Sequence, residues 1–183
     1  MADRKINAVM STSAGRLFDG VSAILGIRRK STFEGEASMA LEFVAEEYQK
    51  NRLKNAKKMP EIPTYELLKE GNDRLLLNTG SLIKEILYRR LNGEDSDRLA
   101  YIFHQELARQ ITASCVKIRE QSGCNKAALS GGVFQNRLLL ELTDHMLKQQ
   151  GFEVLKHQLV PPNDGGIALG QAVYAMAYLD RNK

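Results

Sequence analysis

Lys126-Ala127-Ala128-Leu129-Ser130-Gly131-Gly132-Val133-Phe134-Gln135-Asn136 is the stretch on which the fold turns. Lys126 to Ser130 reads as a buried strand, the paired glycines as a tight exit from it, and Phe134 to Gln150 as the helix that follows. A second strand, Phe152 to Lys156, and a last helix, Ile167 to about Leu179, repeat the order. A strand led back to its neighbour through a helix pairs in parallel, because only a crossover restores the chain direction. The C-terminal part is therefore α/β in type.

Upstream, Ser96 is expected to cap a long helix reaching about Gln121, with Leu99, Ile102, Phe103, Leu107, Ile111, Cys115 and Ile118 on its apolar face. A helix over Ser81 to Leu91 precedes it and stops at Asn92-Gly93. Thr64 to Leu68 and Arg74 to Leu77 flank Gly71-Asn72-Asp73 as a hairpin would. The N-terminal third is helical. Leu17, Phe18, Val21, Ile24 and Leu25 follow a hydroxyl cap among Ser11 to Ser13, and Gly26 closes that helix. A second helix runs from about Ala37 to Asn51, with Ala40, Leu41, Val44, Ala45 and Tyr48 inward and Glu42, Glu46 and Glu47 outward. Arg52 to Pro63, with two prolines and several lysines, reads as a connector. The composition changes near residue 60, which divides a helical segment, 1–60, from an α/β lobe, 61–183.

The chain has 183 residues, 43% hydrophobic and 26% charged, with a formal net charge of +4. That length buries roughly 70% of the unfolded surface without metal or disulfide staples. Cys115 and Cys124 fit neither a CxxC pair nor a disulfide framework and read as reduced thiols. No apolar run reaches the ~20 residues of a membrane span, and no signal peptide follows Met1, so a cytoplasmic protein is expected. The basic residues gather in short groups, Arg28-Arg29-Lys30 and Lys50 to Lys58, rather than along one face, which argues against nucleic acid as the partner.

Two strand-to-helix turns carry paired glycines, Gly131-Gly132 and Gly165-Gly166. Glycines there let a ligand approach the backbone, a helix start offers unpaired N–H groups, and Asn136 adds a side-chain amide. Asp164, in Pro161-Pro162-Asn163-Asp164-Gly165-Gly166, stands where a carboxylate is either a cap or a cation ligand. Ligands of open α/β sheets collect outside the carboxyl ends of strands, so both turns point to one crevice. From spacing alone Asp19 reads as a helix-surface carboxylate, Gly35 as a turn glycine, and His104 as a packed histidine.

Leu129 to Glu141 (LSGGVFQNRLLLE), Val160 to Ala172 (VPPNDGGIALGQA), Gly15 to Ile27 (GRLFDGVSAILGI) and Phe33 to Met39 (FEGEASM) resemble, in order, the HypF carbamoyltransferases of [NiFe]-hydrogenase maturation. The resemblance implies the second lobe of an ASKHA (actin, sugar kinase, Hsp70; RNase H-like) fold, preceded by a helical part. It implies that Asp19, Gly35, Gly131, Gly132 and Asn136 hold the AMP moiety of an ATP-derived carbamoyl-adenylate, and that Asp164 ligates a divalent metal, iron or zinc. It further implies that the carbamoyl group, drawn from carbamoyl phosphate and ATP, passes to the C-terminal cysteine of a HypE-type protein. The family's metal site also uses an HxxxH helix, and His104, His145 and His157 are not so spaced. The first lobe and the other HypF domains are absent as well. The chain alone is therefore expected to be inactive. The alternatives are a lobe of a tRNA threonylcarbamoyladenosine synthase-like transferase, a sugar-kinase-like phosphotransferase, or a non-catalytic module that binds nucleotide or a partner.

Overall fold

The computed structural model describes residues 11–55, 65–70 and 74–181. Helix α1 (Ala14–Ile24) starts where the Ser13 hydroxyl accepts the amide of Arg16 at 3.4 Å. Helix α2 (Glu36–Lys54) starts at Gly35, whose φ of 82° turns the chain into the helix. It outruns the expected end at Asn51 by three residues, because Arg52 still has a surface to lie on, its guanidinium 5.8 Å from the centre of the Tyr101 ring. Residues 56–64, which hold the rest of the expected connector and the composition change, lie outside the described residues.

The hairpin is present and shorter than expected. Strands β1 (Leu68–Glu70) and β2 (Arg74–Leu76) are antiparallel, with Leu68 opposite Leu76 and Glu70 opposite Arg74. Pairing therefore hugs the turn, where loop closure costs least, and Tyr65 to Leu67 stay outside the strand. Helix α3 (Thr79–Leu91) is capped by the Asn78 side chain on Ser81 N at 3.3 Å, two residues earlier than the sequence indicates.

Helix α4 (Ser96–Ser122) organises the core. Asp95, not Ser96, is its N-cap residue, and the Ser96 hydroxyl instead donates to the carbonyl of Leu25 at 2.9 Å, tying α4 to the end of α1. Leu99, Ile102, Phe103 and Leu107 are buried with Phe18, Val21, Leu41, Leu82, Ile86, Leu138 and Leu139, so both sides of the composition change share one core. Phe18 meets Phe103 edge-on, with centroids 4.9 Å apart. Ala45, Ala100 and Ala108 are buried there too, and such small side chains let helices approach closely. The apolar stripe of α4 ends sooner than expected. Ile118 is half exposed, because the last turns have only the small strand-side cluster beside them.

Strand β3 (Lys126–Leu129), a 3-10 turn (Gly132–Gln135), helix α5 (Arg137–Gln149) and strand β4 (Glu153–Lys156) form the crossover unit. The pairing is parallel as expected, from Lys126 opposite Glu153 to Leu129 opposite Lys156. The helix begins at Arg137 rather than Phe134, since Asn136 is extended and breaks the turn from the helix. Only one face of β3 is covered: Ala127 and Leu129 are buried with Leu147 and Phe152, while Lys126 and Ala128 are exposed. The expected buried strand is thus half-buried. A second 3-10 turn (Asp164–Gly166) leads into helix α6 (Ile167–Arg181). None of the residues of α6 is buried.

Candidate functional site

The two glycine turns meet. Gly131 N donates to the carbonyl of Pro162 at 2.8 Å, which joins the loop after β3 to the loop after β4. A second tie lies beside it, a 2.8 Å hydrogen bond between Ser130 Oγ and His157 Nε2. Next to these bonds a small pocket is lined by Leu129, Phe134, Leu140 and Pro162, with Gln135, Lys156 and His157 as its polar and charged members. Gly131 has φ 98° and ψ 159°, a conformation closed to side chains, although nothing lies within 4 Å of where its Cβ would stand. At Gly132 an added Cβ would meet only Asn163 Cβ, at 4.0 Å, so the protein itself leaves that space open. Among the described residues the amides of Gly132 and Val133 meet no acceptor.

Behind the turn, the start of α5 differs from expectation. Arg137 N and Leu138 N donate to Glu42 Oε1 at 2.6 and 3.3 Å, Leu139 N donates to Asn136 Oδ1 at 2.8 Å, and the N-cap amide, Asn136 N, donates to the Val133 carbonyl at 3.1 Å. All four orphan donors of the helix are thereby consumed, and none is left for a phosphate. Glu42, assigned from periodicity to the polar face of α2, is in fact buried, and burial raises its carboxyl pKa against the opposing effect of those two amides. Asn136 is 8% exposed. Its Nδ2 lies 3.0 Å from His104 Nε2, so its side chain points into the interior and not into the crevice.

Asp19 and Gly35 come together at the start of α2. Ser38 Oγ donates to Asp19 Oδ1 at 3.2 Å, three residues beyond Gly35. The loop before them is pinned by Glu36, which accepts Thr32 N at 2.6 Å and pairs with Arg28 at 2.9 Å. The Thr32 amide is the main reason the Glu36 carboxyl titrates lower than usual. Ser38 lies one turn, about 6 Å, from Glu42 along the helix. One helix thus carries the Asp19 cluster and reaches the start of α5.

Asp164 does not cap. Asn163 Oδ1 accepts Gly165 N at 3.1 Å, which leaves the Asp164 carboxylate exposed and without a hydrogen bond or ion pair among the described residues. An added Cβ at Gly166 would stand 2.9 Å from the Pro161 carbonyl, so this glycine is required by the closure of the loop on itself. Among the described residues no three His, Cys, Asp or Glu side chains gather into a metal site. Asp164 would supply a single carboxylate to the implied divalent metal, and the described residues do not complete such a site. Asp164→Ala is expected to leave stability within about 0.5 kcal/mol of wild type by thermal denaturation. A loss above about 1 kcal/mol would restore a capping role.

Of the other groups, Cys115 is half-buried, and burial raises its thiol pKa, which makes it a poor nucleophile. His145 and His157 are exposed, whereas His104 is fully buried with its pKa lowered to about 4 by desolvation.

A family model described as the carbamoyltransferase Kae1-like domain, second subdomain, matches residues 1–171. The chain belongs to the HypF carbamoyltransferase family. It is 35% identical to a probable carbamoyltransferase HypF of Methanocaldococcus jannaschii, over 98% of this chain and 21% of that protein. Against the carbamoyltransferase HypF of Rhodobacter capsulatus the identity is 36%, over 100% and 22%. A crystal structure of full-length HypF in a phosphate- and nucleotide-bound form superposes with a TM-score of 0.80 at 38% identity, covering 97% of this chain and 22% of that one. The α/β ASKHA-like fold expected from the sequence is the fold of this match. The chain spans about a fifth of the length of these HypF relatives. Sequence reasoning missed Glu42 and the Ser130–His157 bond. Helical periodicity put Glu42 outward, and no local pattern joins residues 130 and 157.

Proposed function

We propose that this chain is the second half of a HypF-type carbamoyltransferase site, which holds the AMP moiety of a carbamoyl-adenylate in the crevice between the two glycine turns. The observation that carries the reading is the Gly131 N to Pro162 O bond, which sets both turns side by side at the carboxyl ends of β3 and β4. Gly131 and Gly132 would lie along the ligand, and Asp19 and Gly35 would border it from the start of α2. Asn136 would act from behind by holding the turn, and Asp164 would offer one carboxylate to a metal completed by ligands from elsewhere. In the reaction a thiolate, that of a HypE-type C-terminal cysteine, attacks the carbamoyl carbon. The C–S bond forms as the bond from that carbon to the phosphate oxygen breaks, and AMP leaves with the electron pair. The chain's own contribution is positioning and exclusion of water.

Two features support a half-site. Helix α6 is apolar over most of its length and lies open, with Val173 58% and Tyr174 74% exposed. The match to the second subdomain stops at residue 171, inside this helix. Strands β3 and β4 form a two-stranded parallel sheet with one face of β3 bare, although parallel sheets are normally covered on both faces. A first subdomain of HypF type, in a cytoplasmic complex with the remaining HypF domains, would cover them. The test is carbamoylation of a HypE-type C-terminal cysteine with carbamoyl phosphate and ATP. No transfer is expected from this chain alone, and transfer is expected once a HypF chain lacking its second subdomain is added. Turnover by the chain alone would overturn the half-site. Failure of both, with no AMP binding by calorimetry, would overturn the carbamoyltransferase reading in favour of a partner-binding module.

A further inference from the structure

A row of three polar groups runs from the middle of α4 to the glycine turn, and its hydrogens can be assigned in only one way. His104 Nδ1 lies 2.7 Å from the carbonyl of Ala100, which only accepts, so Nδ1 carries the proton. Its other nitrogen, Nε2, is then a bare acceptor 3.0 Å from Asn136 Nδ2, which donates to it. That orientation of the amide turns Asn136 Oδ1 to the amide of Leu139, at 2.8 Å. Flipping the Asn136 amide, or moving the imidazole proton to Nε2, sets donor against donor. Asn136 is also bonded to the turn itself, its own N–H donating to the carbonyl of Val133 at 3.1 Å. The imidazole is clamped in turn, with the edges of Phe18 and Phe103 at centroid distances of 5.3 and 5.6 Å.

We propose that His104 is a positioning residue of the nucleotide crevice: through the Asn136 amide it fixes the orientation of the Gly131–Gly132 turn. The inference rests on the reading of that turn as a nucleotide contact and adds the residue that governs it from the core. A hydrocarbon of similar size at 104 would fill the same space but leave Asn136 Nδ2 buried without an acceptor, and the amide would no longer have a reason to keep Oδ1 toward Leu139. Apolar neighbours suit the role. Desolvation keeps the ring neutral, the only form in which Nε2 accepts.

The experiment compares wild type with His104→Leu and His104→Gln in this chain by three measurements. These are the ring ¹⁵N shifts of His104, the backbone amide shifts of residues 131–135, and AMP affinity by calorimetry. The expected wild-type signature is a protonated Nδ1 with an unprotonated Nε2. In His104→Leu the amides of Gly131, Gly132 and Val133 are expected to shift and AMP affinity to fall at least tenfold, while His104→Gln, which retains an acceptor, recovers most of both. A protonated Nε2 in wild type overturns the proposal. So do unchanged turn amides in a folded His104→Leu, whatever its melting temperature. If His104→Leu does not fold, the wild-type tautomer and the amide shifts of His104→Gln decide. Absence of AMP binding by wild type would overturn the nucleotide reading alone, and the turn amides would still test whether the imidazole sets the turn.

Discussion

Asn136→Ala is expected to destabilise the chain by about 2 to 4 kcal/mol, the sum of a lost N-cap and of buried groups left without partners. At this chain length that lowers Tm by roughly 5 to 15 °C. The reason is that one side chain serves two buried groups, Leu139 N and His104 Nε2. Acid should act on the same row. His104 has its pKa lowered to about 4, against an ordinary value near 6.5, so the unfolded chain binds more protons between those values. The stability contributed by the neutral ring is present in full above about pH 6.5 and is lost as pH falls toward 4. Glu42 has the opposite sign, because its raised pKa makes its buried charge a cost that grows as pH rises past the ordinary carboxylate value. The slope that disappears in His104→Gln therefore isolates the histidine. An unchanged acid slope in that variant would refute the assignment.

The second large effect belongs to α6. Val173→Asp combined with Tyr174→Lys is expected to leave the Tm of this chain unchanged, since both side chains are already more than half exposed. The same pair is expected to abolish transfer in the reconstituted carbamoylation assay, because a charge driven into an apolar contact is uncompensated. Full activity of the doubly substituted chain with the complementing HypF portion would show that α6 is not the covered face.

What was legible in the sequence was what repeats locally. The alternation of strand and helix after residue 126, the crossover that makes β3 and β4 parallel, and the glycine turns follow from short-range pattern and from the few ways a chain can reverse. The convergence of the turns at one crevice was also legible, because connectivity alone puts both at the carboxyl ends of adjacent strands. Residue 42 marks where such reading ended. Periodicity placed it outward, and only the approach of α5 from 95 positions away gave its carboxylate two amides to accept. Residues 104 and 136 make the same point, since an amide that seemed free for a ligand was claimed by an imidazole 32 positions upstream. Asp164 went the other way, a carboxylate at a turn that its neighbour Asn163 relieved of capping. The sequence by itself determined the elements, their order and the two glycine turns, because those depend on backbone preferences and on periodicity. Only the tertiary structure decided which polar side chains stayed free for chemistry. Buried donors and acceptors take whatever partner the packing brings within hydrogen-bond reach, and that partner is seldom near in sequence.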